Sequence, residues 1–99
     1  MKRSVPRLQG AAQRVAKDEL VGRRVRIAAA NDAGIVGLEG DVVGETLRTL
    51  ELRVGGPGGR RIRVAKQGAT FAFQEGEREV EVPGAAIEFR SWDRTKKVR

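Results

Sequence analysis

The sequence contains no cysteine, no histidine and no tyrosine, and only one tryptophan, one methionine and three phenylalanines in 99 residues. Without Cys there are no disulfides and no thiolate zinc sites, and without Cys or His neither Ser-His-Asp nor Cys-His catalysis can be built. The lack of Cys also fits a reducing compartment. No apolar run approaches the roughly 18 residues needed to cross a bilayer. The stretch Met1-Lys2-Arg3-Ser4-Val5-Pro6-Arg7 is basic, but no apolar region follows it, so it does not read as a secretory signal. Cytoplasm is the expected location, with no membrane partner.

What apolar content there is consists almost wholly of Val, Leu, Ile and Ala. Such residues pack well on pleated, half-buried surfaces. One domain with a single modest core is the expectation for this length.

The net charge of +7 is unevenly placed. Residues 1–17 carry five basic and no acidic side chains, and residues 90–99 carry five basic and one acidic. The 72 residues between them carry 10 basic and 12 acidic. A nearly neutral body with basic ends suggests a polyanionic partner. Neither end has the wide apolar face that a membrane surface would need.

Within 1–17, Leu8, Ala11, Ala12, Val15 and Ala16 recur at helical spacing, so a short helix is expected after a basic lead. From Asp18 the period becomes two. Strands are expected around Arg24-Val25-Arg26-Ile27, Gly37–Thr46, Leu50–Val54, Arg61–Val64, Ala69–Gln74, Glu79–Val82 and, after Pro83-Gly84, Ala86–Phe89. Asn31-Asp32-Ala33-Gly34, Gly55-Gly56-Pro57-Gly58-Gly59 and Glu75-Gly76 are turn chemistry. Glycines in the second strand permit the bending a small barrel requires. The predicted fold is mainly β: a small closed Sm-like or SH3-like barrel of five to six antiparallel strands over 18–90. A short helix precedes it, and a helical tail over 91–99 follows.

No catalytic or metal site is expected. The 55–59 loop lacks the Lys-Ser/Thr of a P-loop and opens no helix. Glu39, Asp41 and Glu45 are read on one strand face, better explained by solubility than by magnesium. Glu75, Glu77, Glu79 and Glu81 are expected to pair across strands with arginines such as Arg61 and Arg63. Arg outnumbers Lys by fifteen to five, as suits gripping phosphate. The candidate RNA contacts are Lys17, Arg23, Arg24, Arg26, Lys66, Arg90, Arg94, Lys96 and Lys97, with Arg99 beside them. Phe71 and Phe73 read as core, so no aromatic platform for stacking bases is expected, and Trp92 reads as a cap on the barrel end.

The order of residues adds a resemblance. Glu19-Leu20-Val21-Gly22-Arg23-Arg24-Val25-Arg26-Ile27 is followed by Gly34–Thr46, which contains Val36-Gly37-Leu38-Glu39-Gly40 and Val42-Val43-Gly44-Glu45-Thr46, and then by Arg63–Phe73. These blocks resemble the protein component 1 family of archaeal ribonuclease P, shared with the eukaryotic enzyme, over about residues 18–97. Where that family has Gly-Arg-Pro near its end, this chain has Phe89-Arg90-Ser91. The resemblance implies an Sm-like barrel that binds the RNA subunit of ribonuclease P and pairs with a zinc-ribbon protein subunit among the other proteins of that enzyme. The holoenzyme removes the 5′ leader of precursor tRNA, which this chain would meet only indirectly. Catalysis would belong to the RNA with its magnesium, leaving no cofactor in this chain. Arg23, Lys66, Arg90 and Arg94 match as RNA contacts. Leu8, Ala12 and Val15 on the helix, with Val42 and Val43 on the bent second strand, match as partner contacts. A ribosomal SH3-type barrel bound to rRNA is the alternative that the composition fits equally well.

Overall fold

The computed structural model describes residues 10–89. Leu8, Arg90, Arg94, Lys96, Lys97, Arg99, Trp92 and the expected tail helix lie outside them. One helix, α1 (Gly10–Lys17), precedes six strands: β1 (Arg24–Ala29), β2 (Glu39–Glu45), β3 (Thr49–Val54), β4 (Arg60–Ala65), β5 (Thr70–Glu75) and β6 (Arg78–Pro83). They form a single antiparallel sheet in the order β4-β3-β2-β1-β5-β6.

Alternation decides which side chains enter the core. Val25 and Ile27 of β1, Leu50, Leu52 and Val54 of β3, Phe71 and Phe73 of β5 and Val80 and Val82 of β6 all face inward. The two Phe rings lie 6.1 Å apart at 41°, a tilted geometry that aromatic quadrupoles favour. Helix α1 lays Val15 and Ala16 against this core and packs beside β6. The Ala-rich stripe is therefore covered by the chain's own sheet.

Two elements differ from the sequence reading. Ala86–Phe89 is not a strand: Pro83 leads into a 3₁₀ turn at Gly84–Ala86, which places Ile87 in the core. Gly84 lies so close to the Lys66 carbonyl that a Cβ there would collide with it. Nor is a closed ring of strands formed. The sheet ends in β4 and β6, which share no ladder. At that seam a side chain replaces backbone pairing: Lys66, just after β4, donates to the carbonyl of Ile87, just beyond β6. Arg60, Arg61 and Arg63 line the β4 edge, and charged edges of this kind resist further strand addition.

Two irregularities re-aim side chains. The β2–β3 register shifts between Val42 and Gly44, leaving Val43 unopposed. Before this bulge Glu39 and Asp41 face outward; after it Glu45 pairs with inward-facing Leu50. One extra residue flips every later side chain to the other face. A similar shift in β1 lies between Ile27 and Ala29.

Candidate nucleic-acid interface

The flipped Glu45 meets Lys66. Lys66 is fully buried, and the side chain of Glu45 is 2% exposed. Lys66 Nζ donates to Glu45 Oε2 at 2.9 Å, to the Thr46 carbonyl at 2.7 Å and to the Ile87 carbonyl at 2.9 Å. This corrects the reading of Lys66 as an RNA contact: its charge is spent internally, tying the β2–β3 turn to the end of β4 and to residues 84–89. At the same junction Phe89 N–H donates to Leu47 at 2.6 Å, and the Arg48 guanidinium sits 5.0 Å from the Phe89 ring centre. Phe89 has φ +67°, a left-handed conformation that glycine adopts freely.

Arg23, just before β1, and Arg24 and Arg26 within it are exposed or half-buried, and each has a carboxylate. Arg23 reaches Asp18 and Glu75, each at 3.3 Å. Arg24 lies 3.6 Å from Glu39 and 3.5 Å from Asp41. Arg26 forks onto Glu79 with bonds of 2.8 and 3.0 Å, crossing β5 where its register partner is the small Ala72. The Glu79 carboxyl is held below its ordinary pKa, chiefly by the hydrogen bond from Arg26, and the Arg26 guanidinium is raised by the same bond. A carboxyl with a folded-state pKa below its unfolded value stabilises the fold above the unfolded pKa, and this is lost as pH falls through the folded value. Carboxyl-detected NMR should therefore find Glu79 titrating below the ordinary glutamate value in the native protein, and returning toward it in Arg26→Gln. An unshifted Glu79 would show that the fork does not persist in solution.

The acidic run of the β5–β6 hairpin does not pair with Arg61 or Arg63, because β4 lies at one end of the sheet and β5 and β6 at the other. Arg63 instead pairs with Glu51 at 2.9 Å. Lys17 is exposed beside a shallow hollow of about 280 Å³ lined by Arg14, Lys17, Asp18, Arg23 and Glu75. Among the expected partner contacts, Val15 and Val42 are enclosed in the core and offer no surface to another protein. Ala12 is half-buried against the core, and Val43 is half-buried at the bulge.

A different charge feature escaped the sequence reading. Arg53, Arg60 and Arg61 have no carboxylate within 4.0 Å among the described residues. The available signal was the absence of any Asp or Glu from 52 to 74, in a stretch containing five basic residues. No group of three carboxylate side chains is placed to hold a metal among the described residues. No described helix is long and apolar enough to cross a membrane.

These features define a class: a small, basic, antiparallel β-protein in which Arg23, Arg24, Arg26, Arg63 and Lys66 are compensated by the chain's own carboxylates. Comparison with known proteins resolves the class to a family. The model for Ribonuclease P/MRP, subunit p29, matches residues 13–97, and the chain belongs to that family. Ribonuclease P protein component 1 of Desulfurococcus amylolyticus is 42% identical over 89 residues, covering 88% of this chain and 94% of that protein. The namesake from Methanothermobacter thermautotrophicus is 40% identical over 82 residues, covering 82% and 86%. The solved structure of Mth11, a homologue of human RNase P protein Rpp29, matches with a TM-score of 0.54 at 39% identity, over 77% of this chain and 96% of that one. The family resemblance read from the residues is borne out: the chain is a ribonuclease P protein subunit.

Proposed function

We propose that this chain is a non-catalytic, RNA-binding subunit of ribonuclease P that holds and shapes the catalytic RNA while precursor tRNA loses its 5′ leader. Family membership over residues 13–97 carries the reading. The chemistry of the chain supports it, since neither His nor Cys is available as base, nucleophile or soft ligand. The excess positive charge suits a polyanion, and phosphate contacts position RNA without reading its sequence. The curved sheet, its seam held by Lys66, acts as an Sm-like barrel. Arg23, Arg24 and Arg26 can contribute to the RNA face only by sharing or exchanging their carboxylate partners, whereas Lys17 is exposed and has no carboxylate within 4.0 Å among the described residues. Arg90, Arg94, Lys96 and Lys97 supply charge from the end of the chain. Magnesium belongs to the RNA subunit. The protein partner is a zinc-ribbon subunit of the same enzyme, with Leu8, Ala12 of α1 and Val43 as its contacts.

Reconstitution tests this directly. The protein with ribonuclease P RNA and the remaining subunits should raise precursor-tRNA cleavage above that of the RNA alone, and the protein without RNA should cleave nothing. Cleavage by purified protein would overturn the non-catalytic assignment. Recovery of rRNA without ribonuclease P RNA in a pull-down from cells would favour the ribosomal reading.

A further inference from the structure

We infer that the β3–β4 hairpin tip is a phosphate-binding site for the RNA backbone, formed by Arg53, Arg60 and Arg61 around the loop Gly55-Gly56-Pro57-Gly58-Gly59. The inference rests on the RNA-binding function proposed above and assigns a surface to it. Half of the cations among the described residues already have carboxylate partners. Arg14, Arg23, Arg24, Arg26, Arg63 and Lys66 each meet a carboxylate within 4.0 Å. Arg53, Arg60 and Arg61 meet none among the described residues, as is also true of Lys17, Arg48 and Arg78; Arg53 and Arg61 are register partners on one face of the hairpin tip, with Arg60 beside them on the other face.

Register makes the cluster unfavourable on its own. Arg53 lies directly opposite Arg61, and Arg60 is the next residue, opposite Val54. Like charges directly opposed across an antiparallel pair destabilise it. The neighbouring Asp41, opposite Arg53 on the other side, is already within 3.5 Å of Arg24. An anion between the two guanidinium groups would remove the repulsion. Arginine suits this role, because its planar fork matches phosphate oxygens.

The loop supplies access. Gly55, Gly56 and Gly58 have φ of +89°, +75° and +80°, which side chains disfavour. A Cβ on Gly59 would collide with the Val54 carbonyl. Gly59 N–H closes the turn onto Gly56 at 2.8 Å. Four of the five loop residues thus present bare backbone in a defined turn. A sugar–phosphate chain can approach such a tip closely, with no side chain between it and the arginines. The glycines and the arginines are separate observations, and both suit a bulky anionic polymer better than a small ligand, for which this tip has no enclosed cavity.

The test uses the full chain and transcribed ribonuclease P RNA, with affinity measured between 50 and 300 mM salt. The triple variant Arg53→Gln, Arg60→Gln, Arg61→Gln should bind about 10–100-fold more weakly near 150 mM. The slope of log affinity against log salt should fall by about 2–3, because each lost phosphate contact removes about 0.7–0.9. The triple Arg→Lys variant should keep most of the slope. Thermal unfolding should show the Gln variant folded and no less stable, since the substitutions relieve repulsion. A folded Gln variant with unchanged affinity and slope would overturn this site while leaving the functional reading intact. So would normal RNA binding accompanied by loss from the protein assembly, which would make the tip a protein contact. Failure of the unaltered protein to bind the RNA would overturn the functional reading itself, and the site with it.

Discussion

Replacing Lys66 with Met should lower the unfolding free energy by about 3–5 kcal/mol, the cost of leaving one partner of a buried pair uncompensated. The substitution conserves much of the volume and removes only the ammonium. Glu45, its side chain 2% exposed, then loses its ammonium partner, and the carbonyls of Thr46 and Ile87 lose their donor. Each unsatisfied buried acceptor adds about 1–3 kcal/mol when no water replaces the donor. Urea denaturation measures the loss as a fall in the midpoint at constant slope. Adding Glu45→Leu should recover part of the loss and not all of it, since the carbonyls stay unpaired. Arg63→Gln, which breaks an exposed pair with Glu51, should cost no more than about 1 kcal/mol. If Lys66→Met cost as little as Arg63→Gln, the pair would be solvated and the seam would be held by something else.

Gly40→Ala should be destabilising at the upper end of the roughly 1–3 kcal/mol that overpacking costs, whereas Gly44→Ala should cost much less. Both residues lie within β2, and their sequence surroundings do not separate them. Gly40 sits between Val25 of β1 and Val54 of β3, and a Cβ there would run into the backbone carbonyl of Arg53. Only a shift of β3 away from β2 relieves that contact, at the expense of the ladder. A Cβ on Gly44 instead meets the Glu51 carboxylate at 3.0 Å, the mobile end of a side chain that can swing aside. Thermal melts of the two variants make the comparison. Equal losses would mean that both glycines serve only strand bending.

Phe71, Phe73 and the alternating Val and Leu positions were legible as core because period-two patterning needs nothing beyond the order of residues. The positive ends were legible for the same reason. Lys66 was not. A lone lysine at a strand end reads as solvent-exposed, and its burial follows from a bulge at Val43 that nothing local announces. The same bulge removed Glu45 from the outward acidic row in which Glu39 and Asp41 remain. Arg23, Arg24 and Arg26 were found as a basic cluster, but their carboxylate partners come from as far away as Glu75 and Glu79. Such pairings depend on strand order, which alternation does not encode.

The sequence by itself determined the class of this protein: a Cys- and His-free, mainly β chain with basic ends, whose residue blocks match the ribonuclease P component 1 family. Periodicity, composition and motif spacing are local properties, and they survive in one dimension. The tertiary structure alone decided which charges are available. A guanidinium or ammonium is free for RNA only if no carboxylate reaches it, and that depends on register, bulges and which strands end up as neighbours. By that criterion Lys66 is withdrawn into the seam, Arg23, Arg24 and Arg26 are shared with acidic neighbours, and Arg53, Arg60 and Arg61 are left uncompensated at the glycine tip.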